Sequence, residues 1–292
     1  MPASAVGLLW HDVVAPSPRT GQVSSKPAPR GARFPAVLEP ARAGVAAKGS
    51  STLRPQAPLQ QAARDAARQH RPSGLGLDSA AVRQALVQRL RAELHCHDAV
   101  CQAMRIVPRH EFVDSALATQ AYEDTSLPIG LGQTISKPSV VARMLSILHE
   151  GLRARASGSL GRVLEIGTGC GYQTALLGHM AQRVLSVERL KPLHDKARAN
   201  LGLQRAGHIR LVYGDGRLGH PPNAPYDSII AAAGGSELPA AWLEQLADGG
   251  RLVAPVHGRG GQTLLVVDRQ GDEFRRSTHE AVHFVPLKSG IE

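Results

Sequence analysis

The chain has 292 residues, 42% of them hydrophobic and only 3% aromatic, with a net charge of +10. This is length enough for a full domain core built mainly of Leu, Val, Ile and Ala, and no apolar run reaches membrane-spanning length. Three cysteines, Cys96, Cys101 and Cys170, are too few and odd in number for a disulfide framework, so a reducing cytoplasm is the expected compartment.

Residues 1–75 carry ten Lys/Arg against three Asp/Glu and so hold most of the net charge. Segments such as Ala15-Pro16-Ser17-Pro18-Arg19 and Lys26-Pro27-Ala28-Pro29-Arg30 show no sustained apolar period. Such a stretch cannot bury enough surface to offset its ordering entropy. It is predicted to be a disordered basic extension, with a short helix at Leu59–Gln69, ahead of one domain over 76–292. Its Arg-rich, acid-poor character is similar to a transit peptide; a plain tail or a start codon assigned too far upstream is the alternative.

Folded structure is expected from about Leu77. Asp78 or Ser79 can cap a helix running to about Leu94, with Val82, Leu86 and Leu90 on one face. A shorter helix follows Asp98, with Val100, Met104 and Ile106 inward. His95-Cys96-His97 with Cys101 suggests a metal site, but neighbours on a helix point in different directions and cannot converge on one ion. No metal is expected. A long loop punctuated by Gly and Pro then precedes a helix at Ser139–Leu152; a loop of that length is more often functional than idle.

The stretch from Val163 to Gln173 governs the rest. The apolar run Arg162–Ile166 ends in Gly167, Gly169 and Gly171, and the helical pattern Gln173–Met180 follows. That is strand, tight turn and helix, with bare backbone offered to a ligand. The dinucleotide fingerprint G-x-G-x-x-G is not met, because Tyr172 holds its third place. Glu165 inside the strand end would repel a pyrophosphate and favour a cationic ligand. Nineteen residues after Gly169, Glu188 closes a second apolar run, Arg183–Val187, where a carboxylate can accept both hydroxyls of a ribose.

Alternation continues with a helix Pro192–Leu203, a strand His208–Tyr213 leading into Gly214-Asp215-Gly216, a strand Tyr226–Ala232, a helix Pro239–Leu246 and a strand Arg251–Pro255. Two further apolar runs, Thr263–Asp268 and Val282–Leu287, flank the turn Arg269-Gln270-Gly271-Asp272. The expected fold is α/β: a Rossmann-like, doubly wound, mostly parallel sheet with an antiparallel C-terminal edge, helices on both faces, and extra N-terminal helices.

The pattern E-x-G-x-G-x-G at Glu165–Gly171 resembles motif I of class I S-adenosylmethionine-dependent methyltransferases. More specific marks lie elsewhere. Val107-Pro108-Arg109-His110-Glu111-Phe112-Val113, Ala121-Tyr122-Glu123-Asp124, Leu127-Pro128-Ile129-Gly130 and Gly132-Gln133-Thr134-Ile135-Ser136 are similar to the protein-L-isoaspartate O-methyltransferase family. So are Asp248–Val253 and Phe284-Val285-Pro286-Leu287. The resemblance spans about Leu77 to Leu287. Cys170, Leu131, Gly234-Gly235 and His283 depart from the family's usual residues.

The resemblance implies methyl transfer from S-adenosylmethionine to the free α-carboxylate of L-isoaspartyl, and secondarily D-aspartyl, residues in damaged proteins. It implies Ser136 as the catalytic residue, with a helix N-cap as the competing role. Its hydroxyl and nearby main-chain N–H groups would bind an anion at a helix N-terminus. Glu165, Gly167, Thr168, Gly169 and Gly171 would line the methionine end of the cofactor and Glu188 its ribose. Asp215 and Gly216 would flank adenine, unless Asp215 is only a turn residue. Gln133 and Thr134 would shape the methionine pocket or the substrate mouth. Asp227 is similar to a structural acid at the start of its strand. Val282–Leu287 is a candidate for main-chain contacts to an extended substrate, or a plain core strand.

A nucleic-acid methyltransferase, suggested by the basic arm, would need an N-P-P-Y-like cluster where Ala231–Gly235 stands. A non-catalytic binding protein would not need Ser136. The expected protein is a monomer acting on isoaspartyl proteins, without membrane or specific nucleic-acid partners.

Overall fold

A computed structural model describes residues 80–202, 207–258 and 260–292. The expected extension over 1–75, its helix at Leu59–Gln69 and the caps Asp78 and Ser79 lie outside the described residues.

Helix α1 (Ala80–Leu94) buries Leu86, Val87 and Leu90, while Val82 is half-buried. It stops where His95 takes a left-handed φ of +50°. His97 then caps α2 (Asp98–Ile106), its Nδ1 accepting from the Ala99 N–H at 3.2 Å. The inward residues of α2 are Val100, Cys101, Ala103 and Met104; Ile106, expected inside, is half exposed at the last turn. His97 and the buried cysteines thus have structural work, and among the described residues no three His, Cys, Asp or Glu side chains gather as a metal site.

The long loop is more ordered than its sequence suggests. It holds two 3-10 turns, Arg109–Phe112 and Ser115–Gln120, and a hairpin of β1 (Leu127–Gly130) and β2 (Gln133–Ile135). Helix α3 follows at Pro138–His149, with Pro138 in its first turn, and α4 at Leu152–Ser157. The short α4, which no apolar period announces, ends at Gly158 with φ +70°.

The sheet runs β5-β4-β3-β6-β7-β8-β9. Strands β3 (Arg162–Ile166), β4 (Arg183–Glu188), β5 (Ile209–Tyr213), β6 (Tyr226–Ala231) and β7 (Leu246–Gly258) are parallel; β8 (Gly261–Gln270) pairs antiparallel with β7, and β9 (Glu273–Ala281) antiparallel with β8. Strands β3 and β4 are near-continuous apolar runs because both faces are covered. One face packs with α1–α3, α5 (Tyr172–Gly178) and α6 (Lys191–Gly202) around Leu176, Val184 and Met144. The other packs around Trp242 of α7 (Ala240–Glu244), Tyr226 and Leu252. Chain order reverses about β3, which makes the carboxyl ends of β3, β4 and β6 the natural binding crevice.

Two expected boundaries move. Strand β7 begins at Leu246, so α7 is shorter than expected. The final strand is Glu273–Ala281, not Val282–Leu287. It is mostly polar and exposed because an edge strand needs no buried face, and its charges discourage edge-to-edge pairing.

Candidate active site

Strand β3 ends at Gly167, Gly169 and Gly171, with φ of +88°, +56° and +92°. L side chains avoid this left-handed region, so the turn demands glycine. The three differ in what they face. Gly167 and Gly169 lie on the wall of a cleft partly open to solvent, and a Cβ on Gly169 would stand 3.2 Å from Ile129. Gly171 does not line that wall. It precedes α5, and a Cβ there would meet Leu201 and Ala197 of α6 at 3.2–3.4 Å. Its bareness lets α6 pack.

Glu188 ends β4 on the same wall, almost fully buried. Its Oε2 accepts the Gly169 N–H at 2.9 Å and its Oε1 the Leu190 N–H at 3.0 Å. A carboxylate has about four lone-pair sites, so each oxygen keeps one for a ligand hydroxyl. Thr168 is held by a 2.6 Å hydrogen bond between its hydroxyl and that of Ser186, and lies on the wall too.

Glu165 does not reach the cleft. It is fully buried, accepting from Gln173 Nε2 at 3.0 Å and from the Thr174 hydroxyl, and so ties β3 to α5. Burial pushes its carboxyl up to about 7, against the pull of these hydrogen bonds. Gln173 is the residue that faces the cleft. Glu165 therefore acts from behind the wall, a place its position in the motif does not reveal.

Asp215 does not line the cleft. Its Oδ1 accepts the Arg217 N–H at 2.9 Å and its Oδ2 the Gly290 N–H at 2.6 Å, bonds that suit a turn residue and leave a lone pair on each oxygen. Gly216 lies on the wall, and a Cβ there would collide with Ile166 at 2.6 Å. Ala232 and Ala233 keep the neighbouring surface low.

The β1–β2 hairpin contributes Ile129, Gln133 and Thr134 to the cleft, and Ser136 follows. Ser136 is not the helix cap; Lys137 holds that position without a side-chain bond. The N-terminus of α3 is satisfied instead by Asp124, which accepts from Ser139 N at 2.8 Å and Ser139 Oγ at 2.7 Å. Asp124 thereby takes the Ser139 N–H at that helix end. Ser136 offers its own hydroxyl, which has no partner among the described residues.

Residues 285–288 complete the cleft. The segment Val282–Leu287 is not a regular strand, and part of its main chain is already paired. Gln262 binds both N–H and C=O of Phe284, while Gly234 donates to Val285 O at 2.9 Å and accepts from Leu287 N at 2.8 Å. A Cβ on Gly234 would stand 2.5 Å from Gln262 Nε2, which accounts for glycine at that departure from the family's usual residue. His283 is exposed and is not on the cleft wall.

Arg109, named in a motif without a role, is fully buried behind Ser136. It donates from Nε to Ala121 O at 2.8 Å and from Nη2 to Ser136 O at 2.7 Å. Burial pushes its guanidinium below the usual arginine value. Nothing in an isolated V-P-R-H run signals that its charge is taken inside.

The sheet order, the glycine turn and the acid closing the next strand define the class I methyltransferase fold. The family model for protein-L-isoaspartate(D-aspartate) O-methyltransferase matches residues 81–292, and the chain belongs to this family. It is 56% identical over 270 residues to a protein-L-isoaspartate O-methyltransferase of Methylibium petroleiphilum, covering 91% of this chain and 98% of that one. A Leptothrix cholodnii protein of the same name is 55% identical, over 94% and 95% of the two chains. A solved protein-L-isoaspartate O-methyltransferase superposes with a TM-score of 0.64 at 26% identity, covering 72% of this chain and 67% of that one. A Plasmodium falciparum structure in complex with S-adenosyl-L-homocysteine shares the fold, with a TM-score of 0.61 at 24% identity, over 70% and 98% of the chains.

Proposed function

We propose that this chain transfers the methyl group of S-adenosylmethionine to the free α-carboxylate of L-isoaspartyl residues, and secondarily D-aspartyl residues, in damaged proteins. The observation that carries the reading is Glu188, fixed by two main-chain N–H groups with lone pairs left over, in one cleft with the free hydroxyl of Ser136. The cleft fits the donor chemically. Glu188 can accept two ribose hydroxyls, Gly167 and Gly169 offer bare backbone to the methionine end, and Gly216 with Ala232 leaves room for a flat base.

The donor supplies a methyl group on a positive sulfonium, already activated for transfer. The acceptor needs no strong base, since a carboxylate of pKa about 4 is ionised at neutral pH. What the chain must supply is alignment, which can contribute roughly 7–11 kcal/mol. Ser136 donates its hydroxyl to the acceptor carboxylate and holds one oxygen toward the methyl group. Gln133 and Thr134 shape the mouth. The adjacent main-chain amide nitrogen of the substrate then attacks the ester carbonyl and expels methanol, closing a succinimide that water opens partly to ordinary aspartate.

The domain is read as 76–292, preceded by a basic extension over 1–75; the acid-poor composition of that stretch and the family match over 81–292 support this. Among the described residues no helix is long and apolar enough to cross a membrane. The chain is read as a monomer of the cytoplasm without a specific nucleic-acid partner. Incubation with the methyl donor and an isoaspartyl peptide, followed by mass spectrometry, tests the activity. Methyl ester and succinimide are expected; an unaltered peptide beside folded protein contradicts it.

A further inference from the structure

Arg109 is fully buried, yet its hydrogen bonds go to carbonyls and not to a carboxylate. Nη1 is buried with no hydrogen-bond partner among the described residues. A charge held this way is costly, and a fold that only needed packing would be served better by an apolar residue. Two of its contacts, Ser136 and Tyr172, lie on the cleft wall. Nη2 grips the Ser136 carbonyl, Nε grips Ala121 three residues before Asp124, and the guanidinium stands 5.0 Å over the ring of Tyr172, which lies on the cleft wall at the start of α5. Asp124 fixes the other end of the same stretch through Ser139. Arg109 and Asp124 therefore bracket Ser136, and Arg109 joins the Ser136 loop to the helix that follows the glycine turn.

We propose that Arg109 is a positioning residue for methyl transfer, fixing the Ser136 peptide and setting a permanent positive charge one peptide group behind the anionic acceptor. The inference rests on the role given to Ser136 above. Preorganised charge of this kind favours a bound carboxylate without being spent on a counterion. It should act on the acceptor and on turnover, and leave the methyl donor's own contacts at Glu188 alone.

Arg109→Gln and Arg109→Lys in the full chain test this, beside the wild type. Wild-type methylation of an isoaspartyl peptide must be seen; its absence overturns the functional reading and this inference with it. With that activity present, Arg109→Gln is expected to lower kcat/KM for the peptide by roughly 30-fold or more. The Kd for S-adenosyl-L-homocysteine, read by calorimetry, should stay within about threefold. Arg109→Lys keeps the charge and one donor, and should recover about fivefold of the loss. Peptide kcat/KM within about threefold of wild type in Arg109→Gln overturns the inference, and so does a parallel loss of peptide turnover and Kd, which marks a packing role only. If Arg109→Gln does not fold, Arg109→Lys decides: a fall of about fivefold in kcat/KM at unchanged Kd supports the inference, and no fall overturns it.

Discussion

The main-chain N–H of Gly169 donates to Glu188 Oε2 at 2.9 Å, which makes the glycine turn and the end of the next strand a single unit. The carboxylate is oriented before any ligand arrives. Because its second oxygen is held by Leu190 N, it cannot swing away from the cleft.

Replacement of that acid should therefore weaken the donor site. Glu188→Gln loses the charge and one acceptor oxygen facing the ligand. Binding of S-adenosyl-L-homocysteine is expected to weaken by roughly 10- to 100-fold, or about 1.5–3 kcal/mol. Calorimetry reads it directly; an unchanged Kd would remove Glu188 from the site.

Ser136 should show the opposite split. Ser136→Ala deletes only a hydroxyl that has no partner among the described residues, so folding and donor affinity should be kept. Turnover is expected to drop by roughly 100-fold, the scale of losing one donor to a developing charge or its acceptor. Steady-state kinetics beside calorimetry separates the two. Equal loss of Kd and kcat would count against the assignment.

Glu165 makes stability depend on pH. Burial holds its carboxyl up at about 7, while the unfolded chain's value is about 4. The folded state keeps a proton that the unfolded state releases between those values. The stability contributed by neutral Glu165 is full below about pH 4 and is lost as pH rises through about 7, by about 4 kcal/mol at most. Glu165→Gln removes this titration. Thermal melts between about pH 5 and pH 8 should show the wild type losing ground to the variant as pH rises, and a constant gap in Tm would contradict it.

Asp227 is expected to matter for folding alone. Its Oδ2 accepts the Arg162 N–H at 2.8 Å, and its carboxylate also pairs with Arg153 and, at 3.6 Å, with Arg162. Asp227→Ala strands the Arg162 N–H beside Gly161, with an expected loss of about 1–3 kcal/mol. Tm should fall while kcat of the folded enzyme is kept.

Where the physics is local, the fold was legible in the sequence. The apolar runs Arg162–Ile166 and Arg183–Glu188 are bounded by glycine or charge and buried on both faces, so pattern and outcome agree. Glu273–Ala281 was not legible, because an edge strand with wet faces carries no apolar alternation. The hairpin Leu127–Ile135 was not either, since its pairing is irregular and its order comes from lying over the glycine turn and α6. In the site, Gly167, Gly169, Glu188 and Ser136 could be picked out because each sits at a strand end or in a motif. Glu165, Gly171 and Asp215 carry the same motif signal, yet their neighbours in space turn them away from the cleft. Arg109 was hidden for the same reason: burial is decided by residues far from it in sequence.

Radiolabelled methyl transfer to a synthetic isoaspartyl peptide, run against a twin that carries ordinary aspartate at the same position, bears most directly on the central claim. Label is expected in the isoaspartyl peptide and not in its twin. Equal label in both, or none in either beside a protein that binds S-adenosyl-L-homocysteine, would contradict the assignment of this cleft to the repair of isomerised aspartate.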